Sequence, residues 1–203
     1  MTLYVCRHGR TEANASGLLL GRADPELDAV GVAQARSMAA ALPAPSAVVS
    51  SPLARCRQTA EAFGHGAGIG LDVEVDERLI ELDYGEFDLT PVRDIPAETW
   101  RAWRADPWFR PPGGEALAEL SERVSAALAD VSERAVDGDV VIVTHVSPIK
   151  AALAWALGVG IDVSWRCHVA QASVMEIGFS PAGPSLRGFN DVAHLDPDPA
   201  PGG

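Results

Sequence analysis

The chain has 203 residues, 47% of them hydrophobic, which suits one domain with a full-sized core. Its formal net charge of −12, from 28 acidic against 16 basic residues, repels nucleic acid and anionic membranes and argues against either as a partner. Mean hydropathy is near zero, no apolar run approaches the ~20 residues that span a bilayer, and the N-terminus enters an apolar strand with no basic region before it, so no signal peptide is expected.

Thr2 to Cys6 reads as a short buried strand, followed by a loop from Arg7 to about Asn14. Asp28 is a plausible helix N-cap before Ala29 to Leu42, where Val30, Ala33, Met38 and Leu42 can form an apolar stripe. Pro43 and Pro45 end that helix, and Ala47-Val48-Val49 is the next strand. Ser51-Pro52 opens a helix to about Phe63, with proline in the first turn, and the glycines of Gly64 to Gly70 read as a loop. From Asp72 to about Pro112 the pattern is less regular. Thr90-Pro91 and Pro96 look like helix starts, with Trp100, Trp103 and Trp108 in or beside a short helical piece. Glu115 to Ala135 is a long amphipathic helix, with Leu117, Leu120, Val124, Leu128 and Val131 at helical spacing. Val140 to Thr144 is a continuous apolar run of the kind buried on both faces, and Ser147-Pro148 begins a helix to about Leu157. Strands near Ser173–Phe179 and Ser185–Phe189 precede a Pro/Gly/Asp tail.

Strands alternating with helices point to an α/β three-layer sandwich, a mainly parallel mixed sheet flanked by helices. One domain is expected over 1–195, with 72–112 an insertion over the active site and 196–203 a disordered tail. In such sheets ligands collect beyond the carboxyl ends of the strands. The first strand end delivers Arg7-His8-Gly9 with Thr11 and Asn14 close behind, the second Ser50 to Arg55, and another Thr144-His145. Two histidines, two arginines and an asparagine at one edge match the oxygens of a phosphoryl group. Cys6, Cys56 and Cys167 are odd in number and lack C-x-x-C spacing. They argue against a disulfide framework or a zinc site and for a reducing, cytoplasmic setting.

Arg7-His8-Gly9-Arg10-Thr11-Glu12-Ala13-Asn14 resembles the R-H-G-x-T-x-x-N signature of the histidine phosphatase superfamily, the phosphoglycerate-mutase-like proteins. The resemblance continues in order through Gly21 to Asp24, Ser50 to Ala60, Leu79 to Gly85, Pro112 to Glu115, Val143 to His145 and Asn190 to Leu195. It implies that His8 attacks phosphorus in line to give a phosphohistidine that water hydrolyses, and that Glu81 is the acid protonating the leaving alkoxide. Attack needs a neutral imidazole whose other nitrogen donates to a backbone carbonyl, which Gly9 is placed to provide. Arg7, Arg55 and His145 would bind the non-bridging oxygens with Asn14 as a neutral donor, and Thr11, Gly21 and Val146 fall at the substrate pocket. No metal or other cofactor is expected.

Two departures stand out. Val146 follows the second histidine where the family often has glycine, so a β-branched residue disfavouring positive φ tightens that side. Asp88-Leu89 replaces a common Glu-Gly pair, which opens the question of a second acid. The reading is a phosphomonoesterase acting on small phosphorylated metabolites. The alternatives are a phosphoglycerate mutase, an alpha-ribazole phosphatase, or a phospho-ligand binder without activity, the last disfavoured because every mechanistic residue is present. A homodimer is compatible with the sequence.

Overall fold

Buried apolar strands alternate with helices along the chain, and the alternation builds a six-stranded sheet covered on both faces. The computed structural model describes residues 1–66, 72–134 and 138–195. The strands are β1 (Thr2–Arg7), β2 (Ala47–Ser50), β3 (Val73–Val75), β4 (Val140–Thr144), β5 (Val174–Ser180) and β6 (Gly183–Asp191), in the order β3-β2-β4-β1-β5-β6. The first four in that order are parallel, β5 runs antiparallel to β1, and β6 antiparallel to β5. The helices are α1 (Glu12–Ala15), α2 (Ala29–Ala41), α3 (Ala54–Gly66), α4 (Ala97–Ala105), α5 (Leu117–Arg134) and α6 (Val146–Leu157).

Successive strand residues face opposite sides of the sheet. Leu3, Val5, Val140 and Ile142 pack with Leu120, Val124 and Leu128 of α5 and Ile149 and Leu153 of α6. Cys6, Val48, Val141 and Val143 pack with Met38 of α2 and Cys56, Ala60 and Phe63 of α3. The sheet is therefore the middle of three layers, and every residue of β4 is buried.

Register decides where the chemistry gathers. Arg7 lies opposite Thr144 across the β1–β4 ladder, and Ser50 opposite Val143 across β2–β4. His8, Ser51 and His145 therefore leave the sheet at adjacent points on one edge.

Several elements differ from the sequence expectation. Segment 72–112 begins with β3, which pairs with β2, so only the part after Val75 lies outside the sheet. Pro91 precedes a 3-10 turn at Val92–Asp94 and Pro96 precedes α4. Helix α3 starts at Ala54 and extends to Gly66, into the segment read as a loop; residues 67–70, 135 and the tail 196–203 lie outside the described residues. In α2 the buried positions are Gly31, Ala35 and Met38, while Val30 and Ala33 are exposed. A β-carbon on Gly31 would collide with the Arg10 backbone, and one on Gly9 with the Gly31 carbonyl. Close packing against the Gly9–Arg10 loop, rather than apolar bulk, sets which face turns inward. Among the described residues no helix is long and apolar enough to cross a membrane.

Candidate active site

The loop after β1 is fixed before any side chain acts. The His8 N–H donates to the Thr144 carbonyl at 3.0 Å, and the Gly9 N–H donates to Thr59 Oγ1 at 3.1 Å. Asp28 caps α2 through the Gly31 N–H at 2.8 Å and pairs with Arg10 at 2.7 Å, so α2 clamps the loop from above. His8 is 3% exposed. Its Nδ1 lies 2.7 Å from the Gly9 carbonyl oxygen, and a carbonyl only accepts, so Nδ1 carries the proton. Nε2 is left unprotonated, and its lone pair accepts the Arg55 Nε–H at a long 3.3 Å. Burial, then the Arg55 and Arg7 charges, hold the His8 pKa well below the ordinary imidazole value. The ring is thus neutral with an available nitrogen.

Arg55 is fully buried at the start of α3. Its Nη1 and Nη2 donate to the carbonyls of Ala23 and Gly21, each at 2.8 Å, which orients the guanidinium toward His8. Gly21 serves here through its backbone. Its N–H and that of Ala23 donate to the two carboxylate oxygens of Asp88, each at 2.7 Å. Asp88, raised as a second acid, therefore braces the loop that holds Arg55. Leu89, where glycine is common, adopts a left-handed φ of 61° and donates its N–H to the Leu19 carbonyl at 2.7 Å.

Arg7 Nη1 donates to the Val169 carbonyl at 2.8 Å, while its Nε is buried with no hydrogen-bond partner. Unpaired buried donors are rare and call for a ligand or water. Burial pushes the Arg7 pKa down to about 10, with the Glu81 charge opposing. His145 is fully buried, its ring centroid 5.1 Å from that of His8. Its Nε2 lies 2.7 Å from Ser51 Oγ and 3.3 Å from Cys56 Sγ. Burial, then Arg55, His8 and Arg7, depress its pKa well below the ordinary value. The sequence counts His145 with the cations; in the free site it is a neutral imidazole oriented by a serine and a thiol.

Glu81 is 2% exposed and sits at the N-terminus of α6. Its Oε2 accepts from the Val146 N–H at 3.1 Å, and its Oε1 from Ser147 at 3.2 Å and Leu82 at 2.7 Å. His145, at the N-cap position, makes no side-chain capping bond, so Glu81 satisfies the first orphan N–H groups of the helix. Burial raises the Glu81 pKa, and the Leu82 and Ser147 bonds and Arg55 oppose it without reversing the shift. The result is a carboxyl that holds its proton to higher pH than an exposed glutamate. Its segment is pinned by Arg123, whose Nη1 donates to the Arg78 and Ile80 carbonyls at 2.6 and 2.7 Å. Arg123 also pairs with Glu115 at 2.7 Å.

Asn14 Oδ1 accepts from the Thr11 N–H and hydroxyl at 3.2 and 3.0 Å, and Thr11 Oγ1 caps the Asn14 N–H at 3.2 Å. This capping box at α1 commits Thr11 to structure and leaves the Asn14 amide nitrogen as the spare donor. Val146 is the first residue of α6 and is not among the positive-φ residues. It lines a cavity with Tyr84 and Trp103. Residue-by-residue reading missed Ser51 and Cys56 as partners of His145. Both stand inside the Ser50–Ala60 block, so a polar residue one step past a strand end was the available signal. Arg123 gave none. Among the described residues no three His, Cys, Asp or Glu side chains are grouped so as to hold a metal ion.

The sequence matches the histidine phosphatase superfamily (branch 1) over residues 3–192. A bifunctional protein of Mycobacterium tuberculosis is 34% identical over 200 residues, 95% of this chain and 54% of its own length; the chain thus spans about half the length of that relative. A protein of Salmonella paratyphi C named "Probable phosphoglycerate mutase GpmB" is 30% identical, covering 97% of this chain and 95% of its own. Among solved structures, the mycobacterial glucosyl-3-phosphoglycerate phosphatase Rv2419c in complex with VO3 has a TM-score of 0.83 at 29% identity, over 93% of this chain and 98% of that one. The alpha-ribazole phosphatase of Shigella flexneri has the same TM-score of 0.83 and identity of 29%, over 94% and 96% of the two chains. A phosphoserine phosphatase of Entamoeba histolytica, at 24% identity and a TM-score of 0.87 over 96% and 98%, supports the fold. The chain belongs to the histidine phosphatase superfamily, branch 1.

Proposed function

We propose that the chain is a metal-independent phosphomonoesterase that hydrolyses small phosphorylated metabolites through a phosphohistidine on His8. The observation that carries this reading is the His8 imidazole itself. It is neutral, with Nδ1 locked on the Gly9 carbonyl at 2.7 Å and Nε2 turned toward the Arg55 guanidinium at 3.3 Å. In the first step Nε2 bonds to phosphorus, the ester P–O bond breaks, and the Glu81 proton passes to the leaving oxygen. In the second, water bonds to phosphorus, the N–P bond breaks, and Glu81 takes the proton back. Arg55, the unpartnered Nε of Arg7, the Asn14 amide and His145 receive the phosphoryl oxygens. His145 can take up a proton as the dianion enters, because the anion offsets the arginine charges that depress its pKa.

The free thiols of Cys6, Cys56 and Cys167 support a cytoplasmic setting, and a homodimer is compatible with this reading. A mutase, passing the phosphoryl group to a bound hydroxy acid, draws support from the similarity to GpmB. Alpha-ribazole phosphate as substrate draws it from the Shigella flexneri phosphatase. A phosphate-release assay over a panel of phosphorylated metabolites, with and without EDTA, tests the proposal. Turnover of small monoesters that survives EDTA and disappears in His8→Ala is expected. Inertness toward every ester, or loss on chelation restored by magnesium or zinc, would overturn it.

A further inference from the structure

Beside the phosphate pocket lies a cavity of about 200 Å³ whose lining no step of the mechanism uses. It begins where the Glu81 bonds end. Val146 and Ser147, whose N–H groups hold the carboxyl, line it, as does Tyr84, whose hydroxyl lies 3.1 Å from Ser147 Oγ. The leaving group of an ester protonated by Glu81 therefore faces this space. Trp100 and Trp165 form apolar walls, their rings packed edge to face at 6.3 Å.

Three donors among the lining residues stand out. Trp103 Nε1 and Ser164 Oγ are buried without a hydrogen-bond partner. Lys150, on α6, is the one cation among the described lining residues and makes no ion pair among the described residues. The arginines of the 72–112 segment are not among the described lining residues. Arg93 lies 3.7 Å from Asp94, Arg110 donates to Glu119 at 2.6 Å, and Arg104 stacks on the Trp165 ring at 5.5 Å. Arg101 lines a separate open groove with Arg104 and Val92. An indole N–H and a hydroxyl without partners and an ammonium without an ion pair thus belong to residues lining one cavity, a donor set suited to an acceptor with negative charge.

We infer that Lys150, with the Ser164 hydroxyl and the Trp103 indole N–H, forms a leaving-group subsite selecting phosphate monoesters that carry a carboxylate. The inference rests on the phosphatase reading for its geometry. Burial pulls the Lys150 pKa down; a bound carboxylate would favour the ammonium.

The test compares 3-phosphoglycerate with glycerol 3-phosphate, which differ in a carboxylate against a hydroxymethyl group. The wild-type protein is expected to favour the first in kcat/KM. Lys150→Met should cut that preference by about tenfold to a hundredfold, the range for a hydrogen bond to a charged group, and Lys150→Arg should restore part of it. Ser164→Ala should lower it severalfold, a check that does not depend on Lys150→Met folding. Arg101→Met should leave the preference unchanged. The same ratio measured as calorimetric affinities in a His8→Ala background gives the comparison without turnover. A preference insensitive to Lys150→Met and Ser164→Ala, or lost in Arg101→Met, overturns the inference while leaving the phosphatase reading intact. Failure to hydrolyse phenyl phosphate contradicts the phosphatase reading instead, and the calorimetric ratio still decides the subsite.

Discussion

The proposed mechanism asks Glu81 to be an acid in one step and a base in the next, and its surroundings pull both ways. Burial favours the protonated form, whereas the N–H groups at the start of α6 favour the carboxylate. A carboxyl balanced in this way can exchange its proton without rearrangement. Glu81→Gln should therefore slow esters with poor leaving groups by roughly two to four orders of magnitude, and aryl esters much less at the phosphorylation step. Pre-steady-state release of alcohol and of phenol measures the difference; equal slowing would remove Glu81 as the acid. Because the carboxyl pKa is raised, the alkyl-ester rate should fall as pH rises through it, a limb that Glu81→Gln should lose. At this scale the sequence was most legible where the family signature is contiguous, as in Arg7 to Asn14. It raised Asp88 only as a second acid and was silent on Arg123 and Lys150. Asp88 meets Gly21 across 67 positions and Arg123 meets the Ile80 carbonyl across 43, and no local pattern encodes such contacts.

Helix α6 is the element on which most of the site turns. It begins one residue after His145, presents its first N–H groups to Glu81, and carries Val146 and Lys150 into the cavity. Val146→Gly should keep the fold, cost about 1 kcal/mol through glycine in the first helical turn, and widen the cavity. Thermal denaturation should show the loss, and a panel of esters of increasing size should show weaker discrimination; an unchanged profile would mean that the valine does not bound the leaving group. Strong periodicity made α5 readable, since Leu117, Leu120, Val124, Leu128 and Val131 are all buried as spaced. Continuous apolarity did the same for β4. Helix α2 misled because its buried face is small, built for the Gly9–Gly31 approach rather than for apolar area. Strand β3 has three residues and the 3-10 turn at Ile161–Arg166 six, too few to show a period.

Across the whole molecule, a chain of net charge −12 concentrates cationic groups at one edge of a buried sheet, and that concentration sets its response to pH. His8 and His145 have folded pKa values well below the ordinary 6.5. Below that value the unfolded chain binds protons that the folded chain does not. Their stability contribution is thus present above about pH 6.5 and lost as pH falls, at up to about 1.4 kcal/mol per unit for each histidine. The raised Glu81 pKa acts with the opposite sign, its contribution being lost as pH rises from about 4.5. Urea unfolding between pH 7.5 and 5.5 should show declining stability, with a shallower slope in His145→Asn; equal slopes would mean that His145 is already protonated in the fold. The α/β class, the strand ends and the crowded edge were legible because alternation and punctuation are written locally. The strand order was not, since it rests on pairings between residues as distant as Arg7 and Thr144.

The central claim is that His8 carries the phosphoryl group. Quenching the enzyme during turnover of a radiolabelled phosphate ester tests it most directly. The account predicts a protein-bound label that is labile in acid and stable in alkali, maps to the peptide containing His8, and vanishes with turnover in His8→Ala. A label on another residue, or a His8→Ala protein that still turns over and still labels, would contradict it.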